Sequence, residues 1–499
     1  MDSRLIELLY LLPDFPIENC LVIDPLKDEI SDQLKRRAGN LEILNYQELE
    51  KIEPNSRPLI GTFNYSDSPT IFFQKSYKLL SPQGACFAVV KRESPFSILN
   101  GNFKQLLLKK MVTGHGYQDV RLYGICPSFD DPRLLVPLLN NRLTSASLGL
   151  YQPSLCKAKI RKGLSFLLGL ISLSSLWTPY ILIIGSKTAF SGSCGLPNIL
   201  AQYFLSEIEC ALFTGTPGAL RKPTLQVMDH AGSILGYVKI AAEPKLKQLL
   251  KNEEEILKLL QKIRFRTAEV PQVKACERIN DHIRFLLLST TKKPFSSGPM
   301  KLSDGHLAFL VELFNGRRTE ALIKDSPFIH DIDRRFTKIE GQLSSPWKQI
   351  LKIAFNEISK NNNTTIPFGI AHRDFTPWNT YRVGSKLTVF DWEFAKKKWP
   401  PLIDLLHFII QKGVIVENQT PAGLLDRILA PNQHEGSLIL AYLRQIGVPI
   451  KYLRTLIIFY LVDIAILYFE KLSESASASK NDLALLTSWQ SLLTNILNQ

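Results

Sequence analysis

The chain reads as two regions of different fold class. The first, about residues 1–190, is an α/β region with a Rossmann-type, mostly parallel sheet. The second is an α+β region in which strands come first and helices last. Three observations carry this reading. Short apolar runs alternate with helical patterns through the first region, the rhythm of parallel strands joined by helices. Three strand-like runs then follow one another between 208 and 241 with only short turns between them. Finally, a polar loop at 370–379 is followed by a β run and then by helical sequence to the end.

Taken in order, Asn19–Ile23 is a short apolar strand, and Asp28–Arg37 is a helix with Ile30 and Leu34 on one face. Leu41–Leu44 is a second strand. Leu79–Gly84 reads as a helix end and turn before the buried strand Ala85–Val90, and Gly116–Tyr123 and Cys126–Leu138 continue the pattern. The stretch 163–185 carries no charge and is long enough to span a bilayer. It divides at Thr178-Pro179 into a helix, Leu164–Leu176, and a β-rich run, Tyr180–Ile184, so a buried helix followed by a buried strand is the favoured reading. A peripheral membrane contact is compatible with it. In the second region, Ile208–Phe213, Pro223–Met228 and Ile234–Ala241 are strands, with a hairpin turn at Asp229–Ser233. A helix covers Leu246–Leu260, and Phe285–Leu288 is a further strand.

Composition narrows the function classes. The chain has 499 residues, 45% hydrophobic and 21% charged, which suits about three domain-sized units. The formal net charge is +14, but the basic residues are spread out, and no nucleic-acid recognition module is visible, so no nucleic-acid partner is expected. Seven cysteines without a CxxC pair argue against a disulfide framework or a zinc site and fit a reducing cytoplasm. The first 20 residues lack the basic start of a signal peptide, and Pro13-Asp14 interrupts their apolar run.

The chemistry concentrates in three segments: Ile370–Asn379 (IAHRDFTPWN), Leu387–Glu393 (LTVFDWE) and Pro401–Phe408 (PLIDLLHF). His372-x-Asp374-x-x-x-x-Asn379, then a β run ending in Asp391, supplies what phosphoryl transfer needs. One carboxylate can orient the attacking hydroxyl, and hard oxygen ligands can hold magnesium on the phosphates.

These segments resemble the aminoglycoside phosphotransferase and choline kinase family, which has a bilobal protein kinase-like fold. The resemblance covers about residues 205–470. It implies a small lobe at 205–292 and a large, mostly helical lobe at 293–499, with ATP and magnesium as cofactors. It implies Asp374 as catalytic base, His372 as a brace for the loop, Asn379 and Asp391 as magnesium ligands, and Asp404 as the residue that steadies the loop. Lys239, near the end of its strand, takes the place of the lysine on the α- and β-phosphates. Glu253, rather than Glu254 or Glu255, takes the place of that lysine's partner. The loop with Gly215 and Gly218 is the nucleotide loop, although it lacks the G-x-G-x-x-G spacing. Adenine would meet the backbone near Ser289–Thr291.

Two features point to a small-molecule acceptor rather than a protein. Asp391 is followed by Trp392-Glu393, and the chain enters a helix too soon for an activation loop. A sugar or glycan precursor, an amino alcohol or an aminoglycoside-like compound would fit the family. Arg373 stands where that family has glycine, and its role is not readable. The first region loosely resembles a degenerate S-adenosylmethionine-dependent methyltransferase. Its first strand runs into Asp24-Pro25-Leu26-Lys27, without the glycine that would let a cofactor approach. Two alternatives remain open: a non-catalytic kinase-fold scaffold or binding protein in a polysaccharide pathway, and a bifunctional methyltransferase–kinase. Oligomeric state is not legible.

Overall fold

The structure, a computed structural model, describes residues 3–13, 19–23, 34, 40–62, 69–91, 101–148, 178–190, 195–215, 218, 220–290, 301–473 and 479–499. The turn at 24–27, the expected helices 28–37 and 164–176, and Thr291 lie outside the described residues, apart from Leu34, which is helical and buried.

The chain forms two compact units. The first comprises residues 1–216, 221–247 and 274–295, and it is built on a twelve-stranded sheet. Its strands are β1 (Asn19–Ile23), β2 (Asn40–Leu44), β3 (Arg57–Thr62), β4 (Leu80–Lys91), β5 (Asp119–Pro127), β6 (Pro132–Pro137), β7 (Tyr180–Ser186), β8 (Ile208–Phe213), β9 (Thr224–Asp229) and β10 (Ile234–Ala241). After β11 (Ala268–Glu269), which belongs to the second unit, come β12 (Val273–Arg278) and β13 (Arg284–Ser289). The order across the sheet is β12-β13-β10-β9-β8-β6-β5-β7-β4-β3-β1-β2.

One half of this sheet is the α/β region. β2, β1, β3 and β4 pair in parallel, and β7 lies antiparallel between β4 and β5. The sheet is therefore mixed, with the crossovers carried by α1 (Pro69–Leu79) and α2 (Gly101–Gly114). Tyr180–Ile184 is a strand, as expected, buried between two others, so the end of the uncharged 163–185 stretch belongs to the core of the sheet. The reading of Leu79–Gly84 as a helix end and turn needs correction. α1 ends at Leu79, but β4 begins at Leu80, since the extended backbone runs on through Pro82 and Gly84 to pair Leu80 with Arg57.

The other half is the antiparallel run β8, β9, β10 and β13. The sequence places a boundary between about 190 and 205, yet strands from both sides of it share this one sheet. The joint is short: Leu134 and Leu135 of β6 pair with Phe213 and Leu212 of β8. Thr214 closes it, donating its amide to Arg133 and its hydroxyl to Pro132. One apolar core runs under both halves. It takes Val22, Phe87 and Leu182 from the first half, and Leu212, Val238 and Phe285 from the second. At its centre lies the N-terminal 3₁₀ segment Ser3–Leu11, with Leu5, Ile6, Leu8, Leu9 and Leu11 buried.

The second unit comprises residues 217–220, 248–273 and 296–499. It contains most of α5 (Pro244–Leu260), then α6 (Asp304–Asn315), α7 (Pro327–Ile339), α8 (Ser345–Ser359), α9 (Ile403–Ile415), α10 (Pro421–Leu429), α11 (His434–Gln445), α12 (Leu453–Leu472) and α13 (Lys480–Leu497). Two three-stranded sheets accompany them: β14 (Thr319–Leu322), β15 (Thr365–Ala371) and β18 (Lys396–Trp399) in one, and β11, β16 (Thr380–Val383) and β17 (Lys386–Val389) in the other. Among the described residues, only Ile450–Leu472, chiefly α12, is long and apolar enough to cross a membrane. Most of it is buried against neighbouring helices, which makes it the core helix of this unit.

Candidate active site

β15 is buried along almost its whole length and delivers His372, Arg373 and Asp374 at its end. The chain there turns through a left-handed residue, Arg373 (φ +64°), a conformation that costs a non-glycine residue about 1 kcal/mol or more and persists only where neighbours fix it. Asp404, at the start of α9, is one of them. Its carboxylate accepts the amides of His372 at 2.8 Å and Arg373 at 2.7 Å. Burial pushes the Asp404 carboxyl up to about 6, while these two amides pull the other way.

His372 is fully buried and its hydrogen bonds fix its tautomer. Nδ1 accepts the amide of Asp374 at 3.2 Å, so Nε2 must carry the proton that it donates to the carbonyl of Phe390 at 3.0 Å. The ring is therefore neutral, and burial holds its pKa down at about 4. It braces the strand end against the residue that precedes Asp391.

Asp374 is held from two sides. Asn379 Nδ2 donates to its Oδ2 at 3.0 Å and to its backbone carbonyl at 2.9 Å, and His407 Nε2 lies 3.2 Å from its Oδ1. Tyr460 supports His407, its hydroxyl 3.3 Å from Nδ1. A quarter of the Asp374 side chain remains exposed, so the carboxylate is oriented but not sealed.

The hairpin β16–β17 brings the next acid alongside. Gly384 makes its turn in the left-handed region (φ +60°), and the register returns Phe390 to donate its amide to the carbonyl of Asn379 at 3.1 Å. Asp391 follows, itself left-handed (φ +71°) and half-buried. Glu253 on α5 accepts the amide of Trp392 at 3.2 Å, and Asn252 donates to the carbonyls of Glu393 at 2.9 Å and Ala395 at 3.1 Å. α5 is thereby latched to the segment after Asp391.

The result is a group of three carboxylates. Glu253, Asp391 and Glu393 each place one oxygen within 4.8 Å of the others. Like charges at this spacing repel by roughly 3 kcal/mol per pair at an effective dielectric near 20, and a cation among them relieves that repulsion. The donor set is all hard oxygen, which suits magnesium. Asn379 fits as a further ligand, because its Nδ2 is spent on Asp374 and its Oδ1 is the atom left to coordinate.

The structure thus brings together His372, Asp374 and Asn379, and it groups Asp391 with Glu253 and Glu393, all in the second unit. Of the three glutamates on α5, Glu253 is the buried one; Glu254 pairs with Lys258, and Glu255 with Lys397. Gly218 lies in the second unit with φ +150°. Lys239 and Gly215 belong to the first unit. Lys239 is half-buried on β10 between Val238 and Ile240, whose side chains enter the core on the other face. Gly215 has φ +92°, and a Cβ there would meet Lys222 backbone oxygen at 2.8 Å, so the loop after β8 requires glycine.

Three features escaped the sequence reading. His407 is unremarkable in a helical pattern, although it stands three residues after Asp404, one turn along the same face. Glu393 closes the Asp391-Trp392-Glu393 segment, where spacing alone assigns it no role. Arg373 has a partner after all: Asp463 of α12, which accepts from its Nε at 2.8 Å and also pairs with its Nη2. Asp463 is shared with Arg335 at 2.9 Å and Trp399 Nε1 at 2.8 Å. No spacing rule connects residues 373 and 463.

No family model matches the chain, and no curated protein does. Among solved structures, it is similar to a ternary complex of the aminoglycoside phosphotransferase APH(4)-Ia with ADP and hygromycin B: 10% identity, TM-score 0.40, covering 61% of this chain and 98% of that one. The GDP complex of an aminoglycoside 2'-phosphotransferase-IIIa mutant is similar at 14% identity and TM-score 0.37, covering 56% and 90%. The gentamicin complex of APH(2")-IIa follows at 16% identity and TM-score 0.35, covering 59% and 94%. Identities and TM-scores of this size leave fold and activity to be argued from the chain's own residues.

Proposed function

We propose that the protein is a kinase-like phosphotransferase that moves the γ-phosphoryl group of ATP to a hydroxyl of a small molecule. The observation that carries this reading is the pairing of an oriented, partly open carboxylate, Asp374, with the carboxylate group Glu253–Asp391–Glu393, tied together through His372 and Asn379. Asp374 would orient the acceptor hydroxyl and take its proton. As the acceptor oxygen bonds to the γ-phosphorus, the bond from that phosphorus to the bridging oxygen breaks, and ADP leaves with the electron pair. Magnesium, when bound, neutralises charge on the phosphates; Asn379, Asp391 and Glu393 would hold it, with Glu253 behind them. Lys239 is the residue that the family resemblance assigns to the α- and β-phosphates. We assign no methyl transfer to the first unit, because the sequence after β1 carries no glycine turn.

The test is ADP release in the presence of magnesium across a panel of sugars, amino alcohols and aminoglycosides. Acceptor-dependent turnover that drops by about a hundredfold or more in Asp374→Ala supports a catalytic base at that position. Absence of magnesium-dependent ATP binding by the intact protein would replace this reading with a scaffold that keeps the motif without the reaction.

A further inference from the structure

The wall beside Asp374 is made by α9, α12 and α13, and its charges are unevenly committed. His407 and Gln411 come from α9; Tyr460, Asp463, Tyr468 and Lys471 come from α12. Gln411 donates to the hydroxyl of Tyr468 at 3.1 Å, and Trp489 of α13 packs edge-on against the Tyr468 ring.

Every acid that these helices contain is already engaged. Asp404 holds the amides of His372 and Arg373. Asp463 holds Arg373, Arg335 and Trp399, and Glu470 holds Arg335 at 2.8 Å. Asp482 caps the first turn of α13 through Ser479. No carboxylate is left on this wall to receive an ammonium group.

Lys471 is the opposite case. Its Nζ lies 4.1 Å from the ring centre of Phe394, which follows Glu393, and 4.8 Å from that of Tyr468. Among the described residues it makes no hydrogen bond and no ion pair. Burial lowers its pKa, while the negative charges of Asp374, Glu393 and Asp391 act to raise it, which puts the ammonium in the field of the candidate site. Two aromatic faces compensate an ammonium only in part. Its donors are not spent on the protein among the described residues, and once magnesium offsets the nearby carboxylates the ammonium favours an anionic ligand over a cationic one.

Resting on the phosphotransferase reading above, we propose that Lys471 is the acceptor-binding cation of this protein, and that the acceptor carries an anionic group, a phosphate or a carboxylate, close to the hydroxyl that is phosphorylated. The aromatic rings of Phe394 and Tyr468 form the floor on which that group meets the ammonium. This narrows the substrate class: cationic amino alcohols and aminoglycosides are excluded, and phosphorylated or acidic sugars and polyols are selected.

The test uses the full chain loaded with magnesium and a non-hydrolysable ATP analogue, so that the γ-phosphate position is filled. The complex is titrated calorimetrically with inorganic phosphate, and separately with ethanolamine as the cationic probe. Phosphate is expected to bind in the millimolar range, about tenfold or more weakly in Lys471→Met, and with wild-type strength in Lys471→Arg. Ethanolamine is expected not to bind. Equal phosphate binding by wild type and Lys471→Met, no phosphate binding at all, or binding of ethanolamine instead would each overturn the anionic acceptor. Unchanged melting temperatures show that the variants fold, and Lys471→Gln replaces Lys471→Met if the latter does not. A wild-type protein that fails to bind the nucleotide analogue overturns the phosphotransferase reading, and this inference with it. Retained nucleotide binding without a Lys471 effect overturns only the inference.

Discussion

Asp463 holds two buried guanidinium groups of the second unit, those of Arg373 and Arg335. Burial alone would raise its carboxyl, but Arg373, Arg335 and the indole of Trp399 bring it down to about 2. Its folded value lies below the ordinary 3.8, so the unfolded chain takes up the proton first on acidification. The resulting stability, about 2 kcal/mol, is fully present above pH 4 and is lost as the pH falls toward 2. Urea unfolding followed by circular dichroism at a series of pH values should show this decline, and Asp463→Asn should flatten it. Asp391 makes a different prediction. Asp391→Asn removes one charge from the carboxylate group without changing its shape, so the magnesium concentration needed for half-maximal nucleotide binding should rise about tenfold. Melting temperature should hold or increase slightly, since a like-charge repulsion is removed. A fall in stability with unchanged magnesium dependence would show that Asp391 is structural.

At the scale of elements, Arg373 and Asp463 tie the loop after β15 to α12. Arg373 is held by a helix carboxylate that is itself 3% exposed, so loop position depends on packing. Breaking a buried pair leaves the remaining charge unpaired and costs about 3–5 kcal/mol. Asp463→Asn, which leaves Arg373 without a carboxylate, should destabilise the protein by about this amount; Arg373→Met, which leaves Asp463 with Arg335 and Trp399, should cost less, and the double variant should lose less than the sum, because Arg373 is then not stranded. Chemical denaturation of the four proteins measures the coupling; additive losses would mean that the two residues act independently.

For the first unit taken whole, the shared sheet makes the antiparallel strands β8, β9, β10 and β13 dependent on the α/β half. β8 borders β6, and the 3₁₀ segment Ser3–Leu11 fills the core beneath strands from both halves. Burying five aliphatic side chains from that segment contributes on the order of 10 kcal/mol before entropy, comparable with the whole stability of a domain. A chain beginning at residue 195 should therefore fail to fold cooperatively, giving broad amide spectra and no sharp melting transition. Glu7 extends the same dependence to the loop carrying Gly215: fully buried, it pairs at 2.9 Å with Arg221, which also donates to the carbonyl of Thr214. Glu7→Ala should lower the melting temperature and weaken nucleotide binding, read by titration with an ATP analogue, without altering residues of the second unit.

Local chemistry determined what the sequence reveals by itself. The strands Asn19–Ile23, Ile208–Phe213 and Ile234–Ala241 announce themselves by apolar patterning bounded by turn residues, and the structure places them at those positions. The set His372, Asp374, Asn379, Asp391 is legible because one loop and one hairpin carry it, so its spacing is fixed by backbone geometry. Tertiary structure decided the rest. The fusion of the two halves through β6 and β8 rests on two residue pairs that no periodicity marks. Arg373 meets Asp463 across 90 residues, and Lys471 reaches the site from nearly a hundred residues beyond Asp374. Glu253 joins Asp391 from a helix 138 residues earlier in the chain. Contacts of this kind depend on how whole helices pack, and packing is a property of the assembled core that sequence spacing does not encode.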